Sequence, residues 1–222
     1  MNAYPGFFLT FEGIEGTGKT SHSRHLFHYL QENRFSSILT CEPGGTAIGE
    51  RIRNLLLHPE TGAIDPLTEV LLFEASRREH VVRVIRPALE WGQVVVCVRY
   101  IDSTIAYQGY GRGIPIETLE SLNVLATGGL LPDLTILLDV DPEEGLIRSF
   151  HHTASEELRF EEEFIRKKDI LLSIRDGFFF LAQNNSHRFE IISTSGPKEE
   201  VFERIRVSVI QAIAKKRRGE TR

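Results

Sequence analysis

The chain has 222 residues, of which 41% are hydrophobic and 26% charged, and its formal net charge is −5 at neutral pH. This length is enough for one domain with a hydrophobic core, while the negative charge disfavours broad binding to nucleic acid or to an acidic membrane. The sequence contains no apolar stretch of 18 residues and no secretory signal pattern, so we expect no membrane span and a cytoplasmic protein.

Strand-like and helical segments alternate along the chain. The apolar runs predicted as strands are 7–12, 37–41, 94–98, 134–140 and 188–193. Helices are predicted near 18–32, 46–58, 66–90, 103–127, 142–152, 160–184 and 197–216. Runs that are apolar almost throughout are typical of parallel strands covered on both faces. The pattern therefore predicts an α/β fold, with a five-stranded parallel sheet and helices on both faces.

A glycine-rich loop lies between the first predicted strand and the first predicted helix. It reads Gly13-Ile14-Glu15-Gly16-Thr17-Gly18-Lys19-Thr20, which is the G-x-x-x-x-G-K-T pattern of P-loop nucleotide-binding proteins. Glycines let backbone N–H groups close around phosphate oxygens, and the helix N-terminus adds the positive end of its dipole. We therefore expect a P-loop NTPase fold in which these eight residues bind ATP, Lys19 reaches the β- and γ-phosphates, and Thr20 holds Mg²⁺.

Two further loops follow predicted strands. Glu42-Pro43-Gly44-Gly45 follows the second strand, and Arg99-Tyr100 follows the third. Because ligands bind beyond the carboxyl ends of parallel strands, we expect these loops and the P-loop to line one crevice. The guanine-reading pattern N-K-x-D does not occur in the sequence, which disfavours a GTPase.

Four segments make the chain resemble a known family. They are residues 42–57 (EPGGTAIGERIRNLLL), 72–80 (LFEASRREH), 99–113 (RYIDSTIAYQGYGRG) and 123–140 (NVLATGGLLPDLTILLDV). With the P-loop, they resemble thymidylate kinases, which transfer the γ-phosphoryl group of ATP to dTMP to give dTDP. The resemblance runs from Phe7 to about Pro142 and resumes weakly over 159–182.

The resemblance implies an architecture and a set of partners. Residues 1–222 would form a single P-loop kinase domain with a lid over about 148–160, and ATP, dTMP and Mg²⁺ would be its small-molecule partners. The family is homodimeric, and the seam is expected at the helix that carries Leu67, Val70, Leu71 and Glu74. The expected catalytic residues are Glu15, Lys19, Arg99 and Arg159.

The acceptor phosphate needs cations that face the P-loop. Arg77 and Arg99 are the candidates, because arginine can clamp a phosphate bidentately. The structural alternative for Arg77 is a surface salt bridge with Glu74. Glu15 and Glu42 are expected to position Mg²⁺ or the acceptor, directly or through water.

The thymine base and its sugar are assigned by resemblance. Phe73 would stack on the base, although a place in the apolar core is its alternative. Ser103, Thr104, Tyr107 and Gln108 resemble the family's base and sugar contacts, with Tyr107 against the deoxyribose. The alternative is that these four residues are ordinary polar residues exposed on the surface. Asp102 is expected as a further acid of the site. Its alternative is the N-cap of a helix that begins near Ser103, and the two roles are compatible.

Three places depart from the family pattern. Val98 stands where the family usually has an aspartate before the arginine of the third strand, and Ser76 replaces another aspartate. The lid, usually rich in arginine, keeps only Arg148 and Arg159. Either the neighbouring acids Glu15, Glu42 and Asp102 replace the missing carboxylate, or the chain is a weakened nucleotide-binding protein. A kinase for a different nucleoside monophosphate is the other alternative.

Arg159→Ala is expected to lower kcat by about 10³ while KM for ATP changes much less. A P-loop that carries Glu15 and no arginine resembles the bacterial enzymes whose transition-state cation comes from the lid, and such an arginine acts mainly on the transferring phosphoryl group. Steady-state kinetics of Arg159→Ala and of the matched variant Arg148→Ala measure this. A large loss in Arg148→Ala alone would contradict the assignment.

Overall fold

The computed structural model describes residues 4–58, 61–150 and 168–219. A five-stranded parallel sheet lies at its centre, with strand order β2-β3-β1-β4-β5. The strands are β1 Phe7–Glu12, β2 Ser37–Cys41, β3 Val94–Val98, β4 Leu134–Asp139 and β5 Phe189–Ser193. The predicted α/β fold is confirmed, and the strand predictions differ only in that Val140 and Arg188 fall just outside β4 and β5.

Helices connect the strands. They are α1 Lys19–Glu32, α2 Ala47–Leu57, α3 Pro66–His80, α4 Arg86–Glu90, α5 Ile101–Thr104, α6 Ile116–Thr127, α7 Pro142–Phe150, α8 Lys168–Asn184 and α9 Lys198–Arg217. A π-helical turn, Val81–Ile85, joins α3 to α4, and another, Ile105–Gly111, continues α5. Within the described ranges, no helix is long and apolar enough to span a membrane.

The helix predicted over 103–127 is wrong as a single element. Gly113 has a φ of 78°, outside the helical range, and Pro115 has an extended backbone directly before α6. A proline has no N–H with which to continue a preceding helix, so the chain breaks here and restarts at Ile116. The helix predicted over 160–184 is described from Lys168 onwards.

The sheet is covered on both faces because successive side chains of a strand point in opposite directions. On one face, Phe7, Leu9 and Phe11 of β1 pack with apolar side chains of α1 and α9. On the other face, Phe8 packs with the turn after α3 and with α4, including Leu89. Neither Cys41 nor Cys97 forms a disulfide; Cys97 is buried and Cys41 is half-buried.

The strand order brings the functional loops together. β3 pairs with both β1 and β2, and Val98 lies opposite Phe11 on one side and Cys41 on the other. The loops that follow these three strands therefore leave the sheet at the same edge. This is the crevice that the sequence predicts.

Asp102 has a role that the sequence did not indicate. It lies within the first turn of α5, and its carboxylate accepts hydrogen bonds from Arg188 at 2.7 and 2.8 Å, both residues being buried. The prediction that Asp102 caps a helix is therefore wrong. The ion pair ties α5, beside β3, to the start of β5.

Arg188→Met is expected to lower the free energy of unfolding by about 3 kcal/mol or more, because it leaves the Asp102 carboxylate buried without its partner. Arg83→Met is the matched control, since the pair of Arg83 with Glu79 is exposed and 3.7 Å long and should contribute less than about 1 kcal/mol. Urea denaturation of both variants measures the difference. Equal losses would show that burial of the Asp102 pair has no special weight.

Candidate active site

The P-loop between β1 and α1 has a backbone that requires glycine. Gly13, Gly16 and Gly18 have φ values of 137°, 73° and 84°, which other residues rarely adopt. Gly16 also lies against α7, because a Cβ built on it would come within 1.9 Å of the carbonyl oxygen of Gly145. The loop's shape thus depends on these positions.

Lys19 is buried inside this loop. Its ammonium group donates to the carbonyl oxygens of Gly13 at 2.9 Å and Ile14 at 2.7 Å, and the Thr17 hydroxyl donates to Ile14 at 2.8 Å. Thr20 is exposed in the first turn of α1. A buried cation and an open helix N-terminus therefore stand side by side, which is the arrangement that binds phosphate groups.

A cavity opens beside the P-loop at the carboxyl edge of the sheet. Glu15 of the loop contributes to its lining. The lining also contains all eight residues expected to contact dTMP: Glu42, Phe73, Arg77, Arg99, Ser103, Thr104, Tyr107 and Gln108. Sequence reasoning missed Arg53, which also lines the cavity and donates to the carbonyl oxygen of Pro43 at 2.9 Å. Its only signal was its place in the family-like segment 42–57.

Arg99 connects the cavity to the P-loop. It follows β3 directly and has a φ of 65°, in the left-handed region. Its guanidinium group donates to Glu15 at 2.7 Å and to the Ser103 hydroxyl at 3.2 Å, and it lies over the ring of Tyr107. The Tyr107 hydroxyl also donates to Glu15, at 2.8 Å. Burial alone would raise the pKa of Glu15, but the charges of Arg99 and Lys19 bring it below its ordinary value.

Arg77 is held on all three of its nitrogens. Nε donates to Glu42 at 2.8 Å, one terminal nitrogen pairs with Glu74 and donates to Thr104 at 2.9 Å, and the other donates to the carbonyl oxygen of Tyr100 at 3.0 Å. The salt bridge with Glu74 is therefore present, but it is buried and not on the surface. Arg77 lines the cavity with its charge already shared between two carboxylates.

The remaining acceptor candidates also face the cavity. Phe73 is half-buried and belongs to none of the apolar clusters of the described residues, so the core alternative is wrong. Thr104, Tyr107 and Gln108 are buried, so they are not exposed polar residues. The Gln108 amide nitrogen donates to Glu69 at 3.0 Å, which fixes the orientation of the amide.

Glu12 contacts two residues that line the cavity, and sequence reasoning did not single it out. It ends β1 and is 0% exposed, and its carboxylate accepts hydrogen bonds from the Tyr100 N–H at 2.7 Å and the Ser103 hydroxyl at 2.6 Å. Burial, and then the neighbouring charge of Asp102, raise the pKa of Glu12 to about 7. The available signal was an acidic residue at the end of an apolar strand, directly before the P-loop.

The donor set for Mg²⁺ is small. In the ranges that the structure describes, no group of three or more His, Cys, Asp and Glu side chains is placed to hold a metal ion. Glu15, an expected ligand, directs its carboxylate at Arg99 and Tyr107, whereas the Thr20 side chain is exposed. Mg²⁺ usually binds few protein groups and keeps substrate phosphates and water as ligands. The residues present fit an ion held in that way.

Two further predictions concern the lid and the dimer seam. Arg159 and lid residues 151–160 lie outside the described residues, while Arg148 in α7 donates to both the carbonyl and the hydroxyl oxygen of Thr194, after β5.

At the expected dimer seam, Leu67 and Leu71 are 49% and 50% exposed. The other two residues named on this helix, Val70 and Glu74, are buried, and the dimer seam stays a prediction.

The fold and the two adjoining sites define a class. A P-loop that faces a second, arginine-lined cavity belongs to a phosphotransferase in which a nucleoside triphosphate and a phosphorylated acceptor meet. The family description "Thymidylate kinase" matches residues 11–205 of the chain.

Individual relatives agree with this match. The thymidylate kinase of Desulfovibrio desulfuricans is 46% identical over 217 residues, covering 96% of this chain and 99% of the relative. That of Syntrophotalea carbinolica is 41% identical and covers 93% and 96%. The crystal structure of thymidylate kinase from Ehrlichia chaffeensis is 38% identical, has a TM-score of 0.74 and covers 93% and 98%. The chain belongs to the thymidylate kinase family and is an ATP-dependent nucleoside monophosphate kinase.

Glu12→Gln is expected to become more stable relative to the wild type as pH rises from about 5 to 8. The pKa of Glu12 is about 7 in the folded protein and about 4.5 in the unfolded chain. Its protonated carboxyl group therefore stabilises the fold fully below about pH 4.5, and this stability is lost as pH rises to about 7. The glutamine does not ionise, so the difference in free energy of unfolding between the variant and the wild type changes by up to about 3 kcal/mol over this range. Thermal unfolding of both proteins across this range measures it. A gap that does not vary with pH would contradict the raised pKa.

Proposed function

We propose that the chain transfers the γ-phosphoryl group of ATP to dTMP, giving dTDP, in a Mg²⁺-dependent reaction. The observation that carries the proposal is the contact between Glu15 of the P-loop and Arg99 of the second cavity. This contact brings the P-loop and the arginine-lined cavity together at one edge of the sheet, which supports an in-line transfer between two nucleotides.

The P-loop is the proposed donor site. Backbone N–H groups of residues 13–20 would bind the ATP phosphates, Lys19 would leave its carbonyl partners for the β- and γ-phosphate oxygens, and Thr20 would hold Mg²⁺. The ion supplies charge neutralisation for the phosphate oxygens. Arg159 is the proposed lid cation, in a lid over about 148–160 that closes a single domain of residues 1–222.

The proposed acceptor site uses Arg99 for the dTMP phosphate. Its guanidinium group is only partly shielded, with 23% of the side chain exposed, and Glu15 and Tyr107 hold it in place. An oxygen of the acceptor phosphate would attack the γ-phosphorus, and ADP would leave. No covalent intermediate with the enzyme is therefore needed. Catalysis then consists of positioning and charge neutralisation.

The other end of the cavity is proposed to bind the base. Phe73 offers an aromatic face for stacking, and Thr104 and Gln108 offer polar atoms for the edge of a pyrimidine. Arg77 and Glu42 hold this wall in place, and Tyr107 would lie against the deoxyribose. We also propose that the protein is cytoplasmic. We propose in addition that it forms a homodimer, because Leu67 and Leu71 leave an apolar area exposed on α3.

The enzyme is expected to prefer dTMP over AMP and CMP by at least about 10² in kcat/KM. A site that pairs its polar groups with one base leaves them unpaired with another. Coupled assays with ATP and each monophosphate measure the preference. Lys19→Ala, purified identically, is the control for contaminating kinases, and its kcat should fall by about 10² or more.

Two results would count against the proposal. Comparable turnover of AMP would favour a kinase for another nucleoside monophosphate. The absence of turnover with every monophosphate would favour the weakened nucleotide-binding protein that Val98 and the arginine-poor lid suggest.

A further inference from the structure

Glu12 contacts the loop that carries the acceptor arginine at two points. One carboxylate oxygen accepts the backbone N–H of Tyr100 at 2.7 Å, and the other accepts the Ser103 hydroxyl at 2.6 Å. Tyr100 directly follows Arg99, and Ser103 itself accepts a hydrogen bond from Arg99 at 3.2 Å. Glu12 is therefore linked to Arg99 by the backbone and by a side chain.

The backbone at Arg99 needs such an anchor. Its φ of 65° is unfavourable for a residue with a side chain, so surrounding contacts must offset the backbone strain. On one side, the Arg99 N–H donates to the carbonyl oxygen of Phe11 at 2.9 Å. On the other side, the Tyr100 N–H donates to Glu12. The left-handed turn is thus fixed by two hydrogen bonds to neighbouring residues of β1.

Stability does not account for a carboxylate at this place. The hydrogen-bond donors to Glu12 are a backbone N–H and a hydroxyl, and its pKa is raised by burial and by Asp102 on α5. Arg99 acts in the opposite direction, and Arg188 lies close enough for its charge to interact with Glu12. An uncharged side chain would occupy the position at lower cost.

The other acids of this edge serve different arginines. Asp102 pairs with Arg188, and Glu42 pairs with Arg77. The side chain of Val98, where the family pattern has an aspartate, has no acceptor atom to offer. Only Glu15, directly, and Glu12, through Ser103 and the Tyr100 backbone, hold Arg99 among the carboxylates of the described residues.

We propose that Glu12 is a positioning residue for the acceptor phosphate, which acts by holding Arg99 in the left-handed turn that presents its guanidinium group to the cavity. Glu12 does not touch the substrate. Its effect on the reaction passes through Arg99, so it disappears when Arg99 is absent. This inference rests on the proposed function, in which Arg99 binds the dTMP phosphate.

A double-mutant cycle tests the dependence on Arg99. Wild type, Glu12→Gln, Arg99→Ala and the double variant are compared at pH 8, in kcat/KM for dTMP and in dTMP affinity measured by calorimetry. Glu12→Gln should lower both quantities about tenfold or more, with KM for ATP within about twofold. In the Arg99→Ala background, the same change should alter dTMP affinity by less than about twofold, because contacts that act through one residue are not additive.

Two results would overturn the proposal. One is unchanged dTMP affinity in Glu12→Gln. The other is an equal loss in both backgrounds, which would show a structural role that does not involve Arg99. If Glu12→Gln does not fold, Glu12→Asp, which keeps the charge but shortens the side chain, takes its place in the cycle with the same expected and contradicting results.

Asp133→Asn is the matched control. Asp133 is also a buried carboxylate that accepts a backbone N–H, that of Phe8 at 2.8 Å, but it lies at the opposite end of β1. Its variant should leave dTMP affinity within about twofold, and a loss as large as that of Glu12→Gln would show a general effect of weakening β1. Wild-type turnover tests the proposed function separately. If another monophosphate is the acceptor, that function fails, and the cycle run with that acceptor still decides the role of Glu12.

Discussion

The hydrogen-bonded ion pair between Glu15 and Arg99 is the contact on which the arrangement of the site depends. Glu15 belongs to the P-loop after β1, and Arg99 follows β3, its neighbour in the sheet, so the pair joins two loops that are 84 residues apart. Tyr107 donates a second hydrogen bond to the same carboxylate and packs its ring against the same guanidinium group. A shift of either loop would therefore separate the site for the triphosphate from the site for its acceptor.

At this edge of the sheet, each of three arginines forms an ion pair with one or two carboxylates. Arg99 pairs with Glu15, Arg77 with Glu42 and Glu74, and Arg188 with Asp102. Unpaired cations could not be buried so close together, because burial strongly disfavours isolated charges. The pairs differ in exposure. Arg99 keeps 23% of its side chain exposed, whereas Arg77 keeps 3%, so an incoming phosphate can share the first more easily than the second.

The parts of the fold and site that were predictable are those that are local in sequence. The P-loop is contiguous, and the strands are short apolar runs, so both could be identified from the residues themselves. The ion pair of Asp102 and Arg188 joins residues 86 apart, and nothing in the local pattern distinguishes it from a helix cap. The break before α6 was missed for another reason: the polar and apolar pattern continues through Gly113 and Pro115, although the backbone does not. Arg53 and Glu12 stand in recognised segments, but only the packing of α2 and β1 reveals which way they face.

The geometry narrows the meaning of Val98. A carboxylate there would stand at the end of β3, directly before Arg99. Of the three acids that sequence reasoning considered as replacements, Glu42 and Asp102 are already engaged by Arg77 and Arg188, and only Glu15 contacts Arg99. Because Glu15 holds the guanidinium group and Glu12 holds the backbone beyond it, fixing Arg99 does not require an acid at position 98. What neither residue supplies is a carboxylate on the β3 side that is free to order water around a metal ion. In the proposed reaction, the departure at Val98 would therefore bear less on how Arg99 is held than on how Mg²⁺ is hydrated.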